Sequence, residues 1–484
     1  MTATTAGTRT TAREGTTTPG PSRATTADGP RDPARPATPG VDRTPPPVRF
    51  LDLVPPAALR DELEGALLRV ARSGRYLLGP ELEAFEHEFA AFAGARHCVA
   101  VGSGLDALTL ALRARGIGPG DEVLVPGQTF VATWLAVTAA GATVVPVDVA
   151  PGTHLMDVDA ACAAIGPRTA AIVPVDLYGH PAPHPELRAL CDAHGLWLLD
   201  DAAQAHGARL HGRPAGSWAD AAAWSFYPGK NLGAMGDGGA VTTDDADLAR
   251  RLRRLRNYGS EQKYVHLEAG ANSRLDELQA AVLRVRLRAL PAANAHRTAV
   301  AAAYGRGLAD LAAAGRVGLP VVTAGAEPSH HLHVLRSPHR DALRDALDRE
   351  GVPTLVHYPT PPARQPAFAG LAAARASLPE ADRAAAEVLS LPMGPHLTAD
   401  EVGRVVAAVC RAVLAVDAGR GAVEGRHRPT GRAVADRRAA VGRSPSGRPD
   451  ARDPSEEFRL RPADHRDPPD HHERGVRTAA GAPR

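Results

Sequence analysis

From residue 97 to residue 201 short apolar runs alternate with stretches of helical period, and few folds accept that pattern. The runs at 97–101, 122–126, 142–149, 169–177 and 196–200 read as strands, with helices between them at 105–115, 130–140 and 186–194. Apolar strands separated by helices predict an α/β fold, a mostly parallel sheet covered on both faces. Two further strands, 221–226 and 239–243, flank a Gly-rich loop. Beyond Asp245 the pattern turns long and helical, including 276–290. A smaller unit follows, with a short strand at 332–335, a helix at 339–350, a segment at 352–358 and a last helix at 399–415. The longest uncharged run, 123–147, has the length to cross a bilayer, but Pro126, Gly127, Gly141 and Pro146 divide it into strand, loop, helix and strand.

Composition bounds the folded part. Residues 1–46 hold 13 Thr and 8 Pro and no aromatic, and residues 419–484 are rich in Arg, Pro, Asp and His with Phe458 as the sole aromatic. Neither segment carries enough apolar surface to offset its ordering entropy, so both are expected to be disordered tails. That leaves a large domain at 47–290 and a small C-terminal one at 291–418, with no internal repeat. Residues 47–418 carry 35 basic and 40 acidic groups, a balance that argues against gripping nucleic acid. Cys98, Cys162, Cys191 and Cys410 have no metal-knuckle or paired spacing, so they are expected to be buried thiols, and no metal is expected. With no apolar signal core at the N-terminus, the chain is expected to be soluble and cytoplasmic.

Of 56 basic residues only Lys230 and Lys263 are lysines. Arginine does not form a Schiff base, so amine chemistry on a side chain has two candidates. Lys263 reads as a surface residue. Lys230 lies in Trp224-Ser-Phe-Tyr-Pro-Gly-Lys-Asn-Leu-Gly-Ala-Met-Gly-Asp-Gly-Gly-Ala240, inside the Gly-rich loop between two strands. Two more segments accompany it. Val101-Gly-Ser-Gly-Leu-Asp-Ala107 runs from a strand through a tight turn into a helix, exposing backbone N–H groups at a helix N-terminus, a phosphate cradle. Its loose likeness to a dinucleotide fingerprint fails, because the next strand ends Val-Pro-Gly-Gln with no acid for a ribose. In Leu196-Trp-Leu-Leu-Asp-Asp-Ala-Ala-Gln-Ala-His-Gly207 two acids sit at the carboxyl end of a buried strand, where desolvation makes them costly unless a site uses them. Gln204 and His206 are expected to face the same mouth. A phosphate cradle, a carboxylate and a Schiff-base lysine are together what pyridoxal 5'-phosphate asks of a protein.

In the order and wording of these motifs the chain resembles the pyridoxal-phosphate-dependent nucleotide-sugar aminotransferases of the DegT/StrS type, which have the fold type I (aspartate-aminotransferase-like) architecture. The likeness runs from Phe50-Leu-Asp-Leu53 through Ser73-Gly-Arg-Tyr-Leu-Leu-Gly79 to Leu389-Ser-Leu-Pro-Met393 and includes neither tail. The resemblance implies that Lys230 holds the cofactor as a Schiff base and shuttles the proton. It puts Asp201 on the pyridine nitrogen, Gln204 near the phenolic oxygen and Phe130, in Gln128-Thr-Phe-Val-Ala-Thr133, against the ring. Ser225 and the backbone at Gly104 and Leu105 are implied for the phosphate. Gly270-Ala-Asn-Ser-Arg-Leu-Asp276 resembles the segment that reaches a neighbouring subunit, putting Asn272 on that subunit's cofactor and implying a homodimer with shared sites. Tyr227, His357 and Tyr358 are the expected substrate contacts. Ala363 stands where the family commonly has His, a departure at the sugar side. Three phrases, at 104–110, 225–232 and 256–264, read most like members that aminate the third carbon of a dTDP-linked 3-keto-6-deoxyhexose. The implied activity is transfer of an amino group from an amino acid, glutamate by analogy, to that keto sugar. The alternatives are a 4-keto sugar aminotransferase, an NAD-linked oxidoreductase or a non-catalytic regulatory protein on this fold. Lys230 argues against the sugar dehydratase of the same fold, which has His there.

Overall fold

The computed structural model describes residues 47–426. Segment 1–46 lies outside these residues, as does 427–484; residues 419–426, expected in the C-terminal tail, instead continue the last helix, Ala399–Arg426.

Seven strands build the main sheet: β1 (His97–Val101), β2 (Glu122–Pro126), β3 (Thr143–Val147), β4 (Thr169–Ile172), β5 (Trp197–Asp201), β6 (Ala221–Ser225) and β7 (Gly239–Thr243), in the order β1-β7-β6-β5-β4-β2-β3. The β2–β3, β2–β4, β4–β5 and β5–β6 pairs are parallel, while β7 pairs antiparallel with both β6 and β1. The fold is therefore the expected α/β sheet with one reversed strand, the return of the hairpin-like connection from β6. The expected strand at 169–177 ends early at Ile172; Leu177–Gly179 is a 3-10 turn, and Val175 keeps a single parallel bridge to Asp201.

Strand period 2 sorts the side chains between two layers. Val99, Val123, Val125, Trp197, Leu199, Ala221 and Ala223 share one hydrophobic cluster with helices α3 (Gly104–Arg115), α4 (Ala132–Ala140) and α7 (Ala246–Leu255). Their neighbours point the other way. Ala100, Ala222 and Trp224 meet α2 (Pro80–Ala93) and α8 (Glu277–Gly307), whereas Leu124, Ile172 and Leu198 meet α5 (Val158–Ala164) and α6 (His184–His194). The first helix among the described residues, α1 (Ala57–Ser73), packs Leu63, Ala66 and Val70 on α8. The N-terminus of α2 is closed by a distant residue: buried Glu277 accepts the amides of Gly79, Glu81 and Leu82 at 2.9, 3.0 and 2.9 Å.

The boundary expected at 290/291 is crossed by α8. This helix gives Leu283, Leu287 and Leu290 to one cluster, and Val300, Ala301 and Tyr304 to a second built with Leu335, Leu343, Leu389 and Val405. In this C-terminal part His333–Arg336 pairs antiparallel with Val388–Leu391, a strand the apolar pattern did not reveal, and the segment at 352–358 joins Ser390 through the isolated bridge at Leu355. All four cysteines are free, but they are not uniformly buried as expected: Cys162 is exposed and Cys410 half-buried. Cys162 occupies the fifth position of the seven-residue helix α5, whose sole buried member is Ala161.

Candidate active site

The site gathers at the carboxyl end of β5. Asp201 is buried there on the α4 side of the sheet, and its Oδ2 accepts the Thr133 hydroxyl at 2.8 Å. Thr133 lies one turn beyond Thr129, and their hydroxyls are 2.8 Å apart. The amide of Ala203 approaches Asp201 Oδ1 at 3.3 Å. Burial raises the Asp201 pKa, against the opposing pull of the Thr133 hydroxyl, Lys230 and the Ala203 amide.

Lys230 faces this carboxylate from the loop between β6 and β7. The loop is pinned, not free. Phe226 exchanges backbone bonds with Gly238 and Ala234 (2.8 and 2.7 Å), and Lys230 N–H donates to Tyr227 C=O at 2.8 Å. Asn231 Nδ2 donates to Asn294 Oδ1 and Ser329 C=O, and Arg286 donates to Gly233 C=O. Gly233 is demanded by close approach, because a Cβ there would stand 2.4 Å from the Pro228 carbonyl oxygen. Burial lowers the Lys230 pKa to about 8, with Asp201 pulling it back up. An amine so placed is available as a nucleophile near neutral pH.

A third element completes the arrangement. The turn after β1 leads into α3, whose first amides have no intrahelical acceptor. Ser103 takes two of the amides, Asp106 N–H on its Oγ at 3.1 Å and Ala107 N–H on its carbonyl at 3.0 Å. The amides of Gly104 and Leu105 are left at a helix N-terminus beside Ser225, and a Cβ at Gly104 would lie 2.7 Å from Ser225 Cβ. Nothing larger than glycine leaves that cradle open.

Gln204 is buried and already engaged at both ends of its amide: Oε1 accepts Tyr178 N–H at 2.6 Å and Nε2 donates to Tyr358 Oη at 3.1 Å. Tyr358, expected on the substrate side, thus joins the Asp201–Gln204 side, its ring tilted against Phe130 at 5.5 Å. His357 points elsewhere, with Nδ1 2.8 Å from Ser390 Oγ and its ring stacked near Phe50 at 6.2 Å. Phe130 is 52% exposed and Tyr227 45% exposed, both at the open side. Asn272 is also exposed, bridged through its backbone to Asn257. Lys263 lies on an exposed hairpin, Ser260–Gln262 with Val265–His266.

Two further expectations change. His206 is fully buried among Phe89, Trp224 and Phe226 and does not face the mouth; burial, with Lys230 adding to it, pushes its pKa down to about 3. Ala363 is buried in the main hydrophobic cluster, so the departure there is a packing position. Residues not singled out in the sequence are Thr133, Tyr178 and Asn231. Thr133 carried a weak signal: it closes the segment Gln128–Thr133 already marked by Phe130, four residues after Thr129.

A protein-family model described as the DegT/DnrJ/EryC1/StrS aminotransferase family matches residues 58–410. The dTDP-3-amino-3,4,6-trideoxy-alpha-D-glucose transaminase of Streptomyces venezuelae is 55% identical over 365 residues, 75% of this chain and 96% of that protein. The erythromycin biosynthesis sensory transduction protein EryC1 of Saccharopolyspora erythraea is 54% identical over 361 residues, 74% of this chain and 98% of that protein. A crystal structure of S. venezuelae DesV in complex with ketimine intermediate superposes with a TM-score of 0.74 at 55% identity, covering 76% of this chain and 99% of that one.

Proposed function

The chain belongs to the DegT/DnrJ/EryC1/StrS aminotransferase family, and from that premise we propose that it moves an amino group from glutamate to the third ring carbon of a dTDP-linked 3-keto-6-deoxyhexose. It is a sugar aminotransferase and works with pyridoxal phosphate. The observation that carries the reading is Lys230, its pKa lowered by burial, on a pinned loop facing buried Asp201.

The residues fit the cofactor. The cradle formed by the Gly104 and Leu105 amides and Ser225 would take the phosphate, and it is open only because position 104 lacks a Cβ. Bound pyridoxal phosphate supplies an aldehyde to carry the amino group and a ring to draw off electrons. Asp201 would hold the proton on the ring nitrogen, and Thr133 keeps that carboxylate oriented. Lys230 Nζ would bind the aldehyde carbon and, once released, move the proton at the substrate carbon. Gln204, held by Tyr178 and Tyr358, would approach the phenolic oxygen, and Phe130 would cover the ring. Tyr227, exposed at the open side, would meet the sugar or its diphosphate.

The working form is a homodimer in which Asn272 serves the partner's cofactor. Exposed apolar side chains, Leu77, Leu78, Met235 and Tyr258 among them, support an interface on this side of the molecule. The dTDP-sugar assignment rests on the S. venezuelae transaminase, whose length the chain matches almost fully. Cytoplasmic location belongs to the same proposal, supported by four free thiols.

The test incubates the protein with glutamate and either dTDP-3-keto- or dTDP-4-keto-6-deoxyglucose and locates the new amine by NMR. Amination at carbon 3 is expected; amination only at carbon 4 would overturn the regiochemistry and leave the aminotransferase standing.

A further inference from the structure

Behind Asp201, on the opposite face of the sheet, three ionisable side chains meet with no exposure to solvent: Asp176, His184 and Asp200. His184, in the first turn of α6, sets Nε2 2.9 Å from Asp176 Oδ1 and 3.4 Å from Asp200 Oδ2. Asp176 Oδ1 also accepts Ala182 N–H at 2.7 Å, and neither Asp200 oxygen has a well-formed hydrogen bond. The imidazole is therefore the group that stands between two buried carboxyl groups.

The backbone ties this cluster to the site. Asp176 N–H donates to Asp201 C=O at 3.1 Å, and Asp201 N–H donates to Pro174 C=O at 2.9 Å. Asp200 is the residue next to Asp201 on the same strand. Whatever separates Asp176 from Asp200 thus separates the two chain segments on which Asp201 is carried.

We propose that His184 is a positioning residue for the transamination: by bridging Asp176 and Asp200 it holds the segment after β4 against the end of β5 and so fixes Asp201. The proposal rests on Asp201 being the partner of the ring nitrogen. Without the imidazole, the buried Asp176 and Asp200 carboxyls take up a proton or move apart, and either change alters the contact that holds the segment carrying Asp201. Displacement of a catalytic group by about 1 Å costs on the order of 100-fold in rate. A divalent cation between the same three ligand atoms, which lie within 4.8 Å of one another, would neutralise the carboxylates equally well. The proton bridge is favoured because Asp176 Oδ1 already receives both the imidazole and the Ala182 amide.

The experiment uses full-length, cofactor-loaded protein and compares His184→Gln, Asp200→Asn, the double variant and Asp201→Asn. It reads kcat, the pH midpoint of the cofactor's visible absorption and the metal content. His184→Gln is expected to lower kcat about 10- to 100-fold and shift the absorption midpoint, and the double variant to recover most of both by removing the unbalanced carboxylate. If His184→Gln does not fold, folding of the double variant with a near-native spectrum gives the same support. A His184→Gln protein that is only less stable, with native kcat and spectrum, overturns the proposal, as does a double variant no better than the single one. One equivalent of a divalent metal, lost in His184→Gln, replaces the proton bridge with a metal centre. If Asp201→Asn keeps native turnover and spectrum, the reading of Asp201 itself has failed.

Discussion

Thr133 Oγ1 stands 2.8 Å from Asp201 Oδ2, joining the first turn of α4 to the end of β5. Thr133 is almost fully buried, so this hydroxyl is shielded from competing water. The bond both orients the carboxylate and stabilises its charged form against burial, which matters for a group expected to hold a proton on its ligand and not on itself. Replacing Thr133 by Val keeps the shape and deletes the bond. Turnover is expected to fall about 10-fold, the size of one hydrogen bond to a charged group at ~1.5 kcal/mol. Steady-state kinetics beside a melting curve check it; an unchanged kcat would remove Thr133 from the site.

Lys230→Ala is expected to abolish the visible absorption of the bound cofactor and lower turnover by at least ~10²–10⁴-fold, the usual span of a lost proton-transfer group. Lys230→Arg should behave alike, since charge without a free amine does not bind an aldehyde. Normal turnover by either variant would displace Lys230.

Asp201→Asn is expected to leave the fold intact and cut turnover strongly, because loss of one partner of a buried charge pair costs about 3–5 kcal/mol. Asp200→Asn should cost much less, since it leaves His184 paired with Asp176. A reversed ranking of the two variants would exchange their roles.

Stability should depend on pH through His184. Burial alone would lower its pKa, but Asp200 and Asp176 together raise it from the ordinary 6.5 to about 9. A folded-state pKa above the unfolded one means stabilisation that is complete below pH 6.5 and lost as pH rises through about 9. Between pH 6.5 and 8 no shift named here opposes this loss, and the raised Asp201 pKa acts in the same direction. Buried neutral histidines such as His206 exert their effect below 6.5, and the lowered Lys230 pKa relieves its burial cost only above about 8. His184 should thus contribute a loss of about 2 kcal/mol from pH 6.5 to 8 in the unloaded protein, read as the difference from the flatter profile of His184→Gln. Denaturant titrations at the two pH values decide; equal slopes for both proteins would contradict it.

Much of the fold was legible because strands buried on both faces must be apolar throughout and their helices must be amphipathic. The expected strand bounds at 97–101, 122–126 and 239–243 recur unchanged. The reversal of β7 was not legible, since an antiparallel neighbour inside a covered sheet is as apolar as a parallel one. Nor was Val388–Leu391, four residues whose strand state exists only through pairing with His333–Arg336.

At the site, residue chemistry alone singled out Lys230 and the Asp200–Asp201 pair, because few side chains in this lysine-poor chain offer an amine and buried acids are costly. That the two acids face opposite ways is a matter of strand period, while the choice of Asp201 as the cofactor's partner came from the family resemblance. Trp197, Leu199 and Asp201 lie on the α4 face, Leu198 and Asp200 on the other. What each acid meets there was decided by tertiary structure. Thr133 arrives 68 residues before Asp201, and His184 enters between Asp176 and Asp200 from a different helix. Such contacts depend on which helix covers which face of the sheet, a choice settled by global packing and written in no local stretch of the chain.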